Sequence, residues 1–276
     1  MAIIVNMVEQ KGQKLNQLYF DLPEGMIVDS HWLNSRGYAS NLRAHYIHKN
    51  WLEQPARSVY QRPRRGELKW EQVVISLQTL LLEEYGPLVV GGETALELQG
   101  FSHYISQNIK TVHLYGPKPP PNWLYHLPVK QKFVFHADKR LFGDNLLSRG
   151  LTAKEVETQR PWGQWDDAIT LSSPERAILE LIDELPDNES FHKVDKIMEG
   201  LPNLSPRKLQ KLLSACKSIK VNRLFFFFAD RHKHAWLKQL NKQNIDFGSG
   251  KRRLVEHGKL DNKYLITVPE DLDGLH

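Results

Sequence analysis

The sequence contains almost no cysteine. Cys216 is the one cysteine among 276 residues, which excludes an internal disulfide and a zinc site built on several thiolates. The lack of a disulfide framework suits a reducing compartment. Because Cys216 falls on the apolar side of a predicted helix, we expect it to be an inert core residue.

Long apolar runs are also missing. No stretch approaches the roughly 18 apolar residues that a membrane span requires. The few apolar residues between Met1 and Glu9 have no basic stretch before them, so neither a signal peptide nor a membrane anchor is expected. The content of 41% hydrophobic and 25% charged residues is that of an ordinary globular protein. We expect a soluble, cytoplasmic protein.

Acidic residues are scarce in one part of the chain. The net charge is +5, and residues 1–69 contain ten Lys and Arg against six Asp and Glu, so this quarter carries +4 of it. Between residues 30 and 66 the only acidic residue is Glu53. The basic residues there are Arg36, Arg43, Lys49, Arg57, Arg62, Arg64 and Arg65. A solvated surface usually mixes both signs, so this imbalance favours a surface that faces phosphates.

The sequence Pro63-Arg64-Arg65-Gly66 indicates a domain boundary, which divides residues 1–68 from residues 69–276. Apolar residues at three- and four-residue spacing then predict a helix over 70–81. The later elements expected are strands at Thr111–Tyr115, Lys130–His136, Val221–Ala229 and Tyr264–Val268, and helices capped by Ser173-Pro174 and Ser205-Pro206. The predicted fold class is α+β, with an amino-terminal winged helix-turn-helix followed by a larger mixed α/β domain.

The winged-helix prediction rests on the order of elements in residues 1–68. The elements expected are a helix over 11–21, a strand over 26–28, a helix over 30–35 capped by Asp29 or Ser30, a third helix capped by Ser40, and a hairpin over 51–62. Gly37 lies between the second and third helices, where glycine can adopt the positive φ that ends a helix. The hairpin that follows the third helix is the expected wing.

The third helix of such a domain enters the major groove of DNA. Asparagine can pair with adenine and arginine with guanine, so Asn41 and Arg43, both expected to face outward, are the candidates for reading bases. The basic hairpin suits backbone phosphates or an A·T-rich minor groove. The complete predicted DNA-binding set is Ser40, Asn41, Arg43, His45, Lys49, Arg57, Arg62, Arg64 and Arg65. The alternative is a small domain that contacts another protein.

A second alternative is an enzyme. Val90-Gly91-Gly92 before a helix resembles the opening of a nucleotidyltransferase domain, where a phosphate meets a helix terminus, and a degenerate fold of that type is one possibility for the second domain. However, the next strand, Thr111–Tyr115, contains none of the carboxylates that hold catalytic metal ions. The adjacent Asp166 and Asp167 are a weak hint of a nuclease. The alternative function is therefore a nucleic-acid enzyme with a winged-helix targeting module.

The loop at Gly248-Ser249-Gly250-Lys251-Arg252 is not a phosphate-binding P-loop. Ile245 stands where that motif needs its first glycine, and Arg252 replaces the serine or threonine that meets magnesium. The basic side chains of Lys251, Arg252 and Arg253 can still hold an anion. His232 and His234 lack partners at ligand spacing and are expected at the surface start of a helix. We therefore expect no catalytic residue, no metal and no cofactor.

Several motifs resemble the AbiEi family of antitoxins, and together they span nearly the whole chain. In the first domain they are Leu22-Pro23-Glu24-Gly25, Ser35-Arg36-Gly37-Tyr38, Trp51-Leu52-Glu53 and Val59-Tyr60. In the second domain they are the segment from Val90 to Gly100, Ser173-Pro174-Glu175-Arg176-Ala177, Gly248 to Arg252, and Lys263 to Val268.

The resemblance implies a type IV toxin-antitoxin system. In such a system the winged helix represses its own operon, and the larger domain counters a nucleotidyltransferase toxin encoded beside it. The implied partners are double-stranded DNA, as an operator of inverted repeats, and that toxin, with or without direct contact. The loop of Lys251, Arg252 and Arg253 is the candidate for opposing the toxin. No membrane partner is implied.

Overall fold

We describe the protein from a computed structural model. The structure describes residues 13–101, 109–143, 146, 150–163 and 167–273; Lys11, where the first helix was expected to begin, and Asp166 lie outside them. The chain folds into two compact units. The first runs to Leu88 and adds Pro120–Phe133 and Pro161–Ile169, and the second consists of Val89–Pro119, Val134–Arg160 and the chain from Thr170 onward.

The first unit begins with three helices and a small sheet. In chain order these are helix α1 (13–21), strand β1 (Ile27–Asp29), helix α2 (Ser30–Ser35), helix α3 (Ser40–His48), strand β2 (Glu53–Ala56) and strand β3 (Val59–Gln61). The sheet has the order β1-β3-β2, and both pairings are antiparallel. The elements therefore follow one another in the order that the sequence predicts.

Local chemistry explains where these elements begin and end. The side chain of Asp29 accepts a hydrogen bond of 2.9 Å from the backbone N–H of Trp32, so Asp29 caps α2. Gly37 has a φ of +80° and allows the chain to turn directly after α2. Ser40 is the first residue of α3, and Ala39 precedes it without a side-chain cap, so the prediction that Ser40 caps this helix was wrong.

Two further helices belong to the first unit, α4 (Trp70–Gln78) and α5 (Leu82–Tyr85). They replace the single helix expected over 70–81. In α4 the Oγ of Ser76 accepts a hydrogen bond of 2.9 Å from the backbone N–H of Ile27, which ties the helix to β1. The first unit therefore extends beyond the boundary that the sequence suggested at residue 68.

The second unit is built mainly around a five-stranded sheet of order β6-β5-β4-β8-β7. Its strands are β4 (Val89–Val90), β5 (Thr111–Gly116), β6 (Lys132–Ala137), β7 (Glu157–Pro161) and β8 (Ala168–Ser172). Strand β4 pairs antiparallel with β5 and parallel with β8. A separate antiparallel pair joins β9 (Lys259–Asp261) to β10 (Ile266–Val268).

The second unit also contains several α-helices. They are α6 (Gly92–Leu98), α7 (Lys139–Phe142), α8 (Ala153–Val156), α9 (Pro174–Asp183), α10 (Phe191–Glu199), α11 (Pro206–Ala215) and α12 (Ile219–His232). Helix α9 packs against α6, α10, α11 and α12, and residues 175–183 are all buried. The predicted caps are confirmed, because Ser173 and Ser205 each accept a backbone hydrogen bond from the residue three positions later.

The prediction of a central strand at Val221–Ala229 was wrong. This segment lies in α12, the helix that Ser218 caps by accepting a hydrogen bond from the N–H of Val221. All nine residues from 221 to 229 are buried. A helix covered on every side shows no apolar periodicity, so its sequence cannot be told from that of a buried strand. His232 consequently ends a helix, whereas the sequence placed it at a helix start.

None of the helices within the described residues combines the length and apolarity needed to cross a bilayer.

Candidate functional site

Arg43 is buried in the first unit. Its side chain is 8% exposed, its Nη1 donates to Asn34 Oδ1 and to the backbone oxygen of Tyr38 at 2.8 Å, and its guanidinium carbon lies 5.4 Å from the ring centroid of Tyr60. The prediction that Arg43 faces outward to read bases was wrong. Its hydrogen bonds instead fasten α3 to α2 and to the turn between them.

The exposed side of α3 carries other polar residues. Ser40, Asn41, His48 and Lys49 are exposed, and His45 is partly exposed. Residues 41, 45 and 48 share one face because three- and four-residue steps return to the same side of a helix. His45 packs edge-on against Trp51, with ring centroids 5.9 Å apart.

The hairpin and the segment after it place their arginines in two different environments. Arg57 lies exposed in the turn between β2 and β3, and Arg65 is also exposed. Arg62 stacks on Tyr19 at 4.1 Å and donates to its backbone oxygen, while Arg64 donates to Gln72 Oε1 at 2.7 Å.

These contacts divide the predicted DNA-binding cations into two groups. Arg43, Arg62 and Arg64 are engaged within the protein. Among the described residues, no ion pair engages Lys49, Arg57 or Arg65, so these three cations are available to an anionic ligand.

In the second unit, the glycine turn before α6 contacts a buried carboxylate. Glu180 is fully buried, and its Oε2 accepts a hydrogen bond of 2.9 Å from the N–H of Gly92. A Cβ atom at Gly91 would lie 2.3 Å from the same oxygen. The backbone donor that would meet a phosphate in a nucleotidyltransferase is therefore already satisfied inside the protein.

Glu180 is held by further buried partners. Its Oε1 accepts from Arg176 Nε at 2.6 Å and from Ser172 Oγ at 3.0 Å. Arg176, only 3% exposed, also donates from Nη2 to Asp138 Oδ1 at 2.9 Å. The sequence analysis did not identify this network; its one signal was that residues 176 and 180, four apart on a predicted helix, have opposite charges.

Two histidines lie side by side on neighbouring strands, His113 on β5 and His136 on β6. His113 Nδ1 lies 2.9 Å from His136 Nε2, and His136 Nδ1 lies 3.2 Å from Glu184 Oε1. Burial, together with the neighbouring His136, lowers the pKa of His113 to about 4. The buried hydroxyl of Tyr115 has no hydrogen-bond partner among the described residues. Across the residues that the structure describes, no group of three or more His, Cys, Asp or Glu side chains is placed to hold a metal ion.

The remaining candidates of the second unit lie at its surface or in its core. Lys251, Arg252 and Arg253 are exposed, as a loop that meets an anion requires. Cys216 is buried, and burial raises the pKa of its thiol to about 12, so it stays a protonated core thiol. His232, the last residue of α12, has its Nε2 2.9 Å from Asp195 Oδ1.

The chain matches two family models. Residues 11–107 match the model described as the N-terminal domain of the transcriptional regulator AbiEi antitoxin. Residues 109–269 match the model described as the transcriptional regulator AbiEi antitoxin of a type IV toxin-antitoxin system. The resemblance seen in the sequence motifs is thereby confirmed.

Among solved structures, the chain is similar to the RV2827C protein from Mycobacterium tuberculosis. The two share 16% sequence identity, the match covers 92% of this chain and 89% of the other, and the TM-score is 0.55. At this identity the likeness concerns the fold alone. No curated protein matches the sequence.

Arg43→Ala should destabilise the protein. The substitution leaves the carbonyl of Tyr38 without its buried donor, so we expect the free energy of unfolding to fall by about 2 kcal/mol. Asn41→Ala, at an exposed position on the same helix, is the control and should change it by less than about 0.5 kcal/mol. Denaturant unfolding checks both values. Equal stability of the two variants would contradict the internal role of Arg43.

The histidine pair should make stability depend on pH. The unfolded chain protonates His113 below its ordinary pKa of about 6.5, whereas the folded protein does so only near pH 4. The free energy of unfolding should therefore fall as the pH drops through this window, by at most about 3 kcal/mol from this residue. Between pH 7 and pH 5, His113→Asn should flatten the decline in stability, and the exposed control His126→Gln should not. An unchanged slope in His113→Asn would refute this assignment.

Proposed function

Because the chain belongs to the AbiEi antitoxin family of transcriptional regulators from type IV toxin-antitoxin systems, we propose that its first unit binds double-stranded DNA as a winged helix-turn-helix and represses its own operon. The observation that carries the proposal is the exposed polar face of α3 beside an exposed basic hairpin turn. In this proposal α2 and α3 are the helix pair, α3 is the recognition helix, and the β2–β3 hairpin is the wing.

We assign separate roles to the residues of this surface. Asn41 reads a base edge in the major groove, because its side chain is exposed near the start of α3. Lys49, Arg57 and Arg65 contact backbone phosphates and supply affinity with little sequence information. Ser40 and His45 border the same face, whereas Arg62 and Arg64 hold the wing in place.

We propose residues 1–68 as the DNA-binding module, with α4 as a supporting helix packed on β1. Two copies of α3 would meet an operator of inverted repeats, since paired recognition helices contact half-sites about one turn of DNA apart. Because this proposed role requires access to chromosomal DNA, we also propose that the protein acts in the cytoplasm.

The second unit, in our proposal, is the antitoxin part, and it neutralises a nucleotidyltransferase-type toxin encoded beside it. We propose that it has no catalytic activity. One reason is that Glu180 already accepts a hydrogen bond from the N–H of Gly92. The other is that β5 carries His113 and Tyr115, where a two-metal site would need carboxylates. The exposed loop of Lys251, Arg252 and Arg253 is the proposed surface that opposes the toxin.

A gel-shift titration against the DNA upstream of the gene tests the repressor proposal. The full chain should bind this DNA more tightly than unrelated DNA, and binding should weaken as salt rises. Lys49→Gln and Arg57→Gln should each weaken binding to both DNAs and make binding less salt-dependent, whereas Asn41→Ala should reduce the preference for the operator. Loss of each contact should lower the affinity about tenfold.

Lys154→Gln is the matched control for this titration, because it removes one exposed positive charge in the second unit. It should bind operator DNA like the parent protein. Absence of binding at low salt, or an equal effect of the control, would contradict the proposed interface.

A growth assay tests the antitoxin proposal. Cells that express the adjacent toxin should recover when the full chain is supplied from a separate inducible promoter. The triple variant Lys251→Gln/Arg252→Gln/Arg253→Gln should lose this protection by tenfold or more in surviving cells, and Lys154→Gln/Lys196→Gln/Lys238→Gln should retain it. Full protection by the first variant would remove the loop from the proposal.

A further inference from the structure

A pocket in the second unit lies beside the amino-terminal half of α12. Its volume is about 330 Å³, and its lining residues are Arg223, Lys242, Phe247, Gly248, Lys263, Tyr264 and Leu265. Three of these seven residues carry a positive charge and two carry an aromatic ring. No carboxylate is among these lining residues.

Arg223 is a buried cation with incomplete hydrogen bonding. It is 2% exposed, and it donates from Nε to Phe247 O at 2.6 Å and from Nη1 to Gly250 O and Leu265 O at 2.7 and 3.2 Å. Among the described residues, Nη2 has no hydrogen-bond acceptor and no carboxylate forms an ion pair with this guanidinium. A buried charge normally has an ionic partner. Because Arg223 lines the pocket, its Nη2 can donate a hydrogen bond to an anionic ligand.

Two lysines add positive charge at the pocket. Lys242 Nζ donates to Tyr264 OH at 2.8 Å, and Lys263 pairs with Asp230. Asp230 also lies 3.9 Å from Lys242 Nζ, so the two lysines share this one carboxylate. The side chains of Lys242 and Lys263 remain 40% and 62% exposed. They can therefore reach a ligand without breaking the fold.

Apolar groups form part of the pocket wall. The rings of Phe247 and Tyr264 have centroids 6.3 Å apart at an interplanar angle of 36°, and Leu265 adds an aliphatic surface. Gly248 has a φ of +57°, and a Cβ there would lie 2.6 Å from Ile219 Cδ1. The loop thus requires glycine at this point, which keeps the wall free of a side chain.

We propose that this pocket binds the phosphate of a phosphorylated nucleoside, either a free nucleotide or a nucleotide within RNA. Arg223 Nη2, Lys242 and Lys263 hold the phosphate, since guanidinium and ammonium groups form strong charge-assisted hydrogen bonds with phosphate oxygens. The nucleobase packs on the aromatic wall, where stacking is tolerant of base identity. The exposed Lys251 and Arg252 follow the Arg223-bound loop and would contact further phosphates if the ligand is RNA.

Fluorescence anisotropy tests this assignment with two probes, mant-ATP and a fluorescein-labelled oligouridylate of ten nucleotides. The protein is the full chain carrying Lys49→Gln/Arg57→Gln, so that the basic surface of the first unit contributes little. Lys242→Gln and Lys263→Gln should each weaken binding about tenfold. Phe247→Leu should weaken it similarly. The control Lys238→Gln removes an exposed lysine outside the pocket and should change affinity less than twofold.

The two probes distinguish the sources of the phosphate. Binding of mant-ATP with this variant pattern supports a free nucleotide, and binding of the oligouridylate alone supports RNA. Dissociation constants above 1 mM for both probes, or weakening by Lys251→Gln but by neither pocket lysine, would overturn the proposal. Binding only to an acidic peptide would overturn it as well. Thermal unfolding verifies that each variant is folded. Operator binding by the parent chain is measured separately, so failure of the pocket proposal and failure of the repressor proposal can be distinguished.

Discussion

The carboxylate of Glu180 is the group on which the second unit depends. Removing a charged carboxylate from water is costly unless ionic and hydrogen-bonding partners replace the water. Arg176, Ser172 and the N–H of Gly92 supply those partners, and they come from α9, β8 and the start of α6. Arg176 extends the network to Asp138 at the end of β6. One buried charge therefore fixes the mutual positions of two helices and the sheet.

The same carboxylate explains the chemistry of the glycine turn. In a phosphate-binding turn, small residues let a ligand approach the backbone donors at the helix start. Here a side chain from the core makes that approach, and glycine at position 91 is required because Glu180 and Tyr115 leave no space for a Cβ. The Gly91-Gly92 pair is thus explained by internal packing.

Much of the fold could be predicted from the sequence because its signals are local. The caps at Ser173 and Ser205 depend on residues within four positions and were predicted correctly, and Asp29 was one of the two caps predicted for α2. Val221–Ala229 was misassigned because a helix buried on all sides has no polar face to set its period. Arg43 was misplaced for a related reason: its partners, Asn34 and Tyr38, belong to the preceding helix and turn, and no spacing rule predicts that an arginine folds back onto them.

The pocket at Arg223 and the network at Glu180 could not be predicted from the sequence, because both join residues more than twenty positions apart.

The burial of Arg43 has a different consequence. Its hydrogen bonds to Asn34 and Tyr38 fix the angle at which α3 leaves the turn, so the free protein already holds the proposed recognition helix in place. Little conformational entropy is then lost on association. In the proposed complex, the affinity for DNA would consequently be determined by the contacts themselves and not by the cost of ordering the helix that makes them.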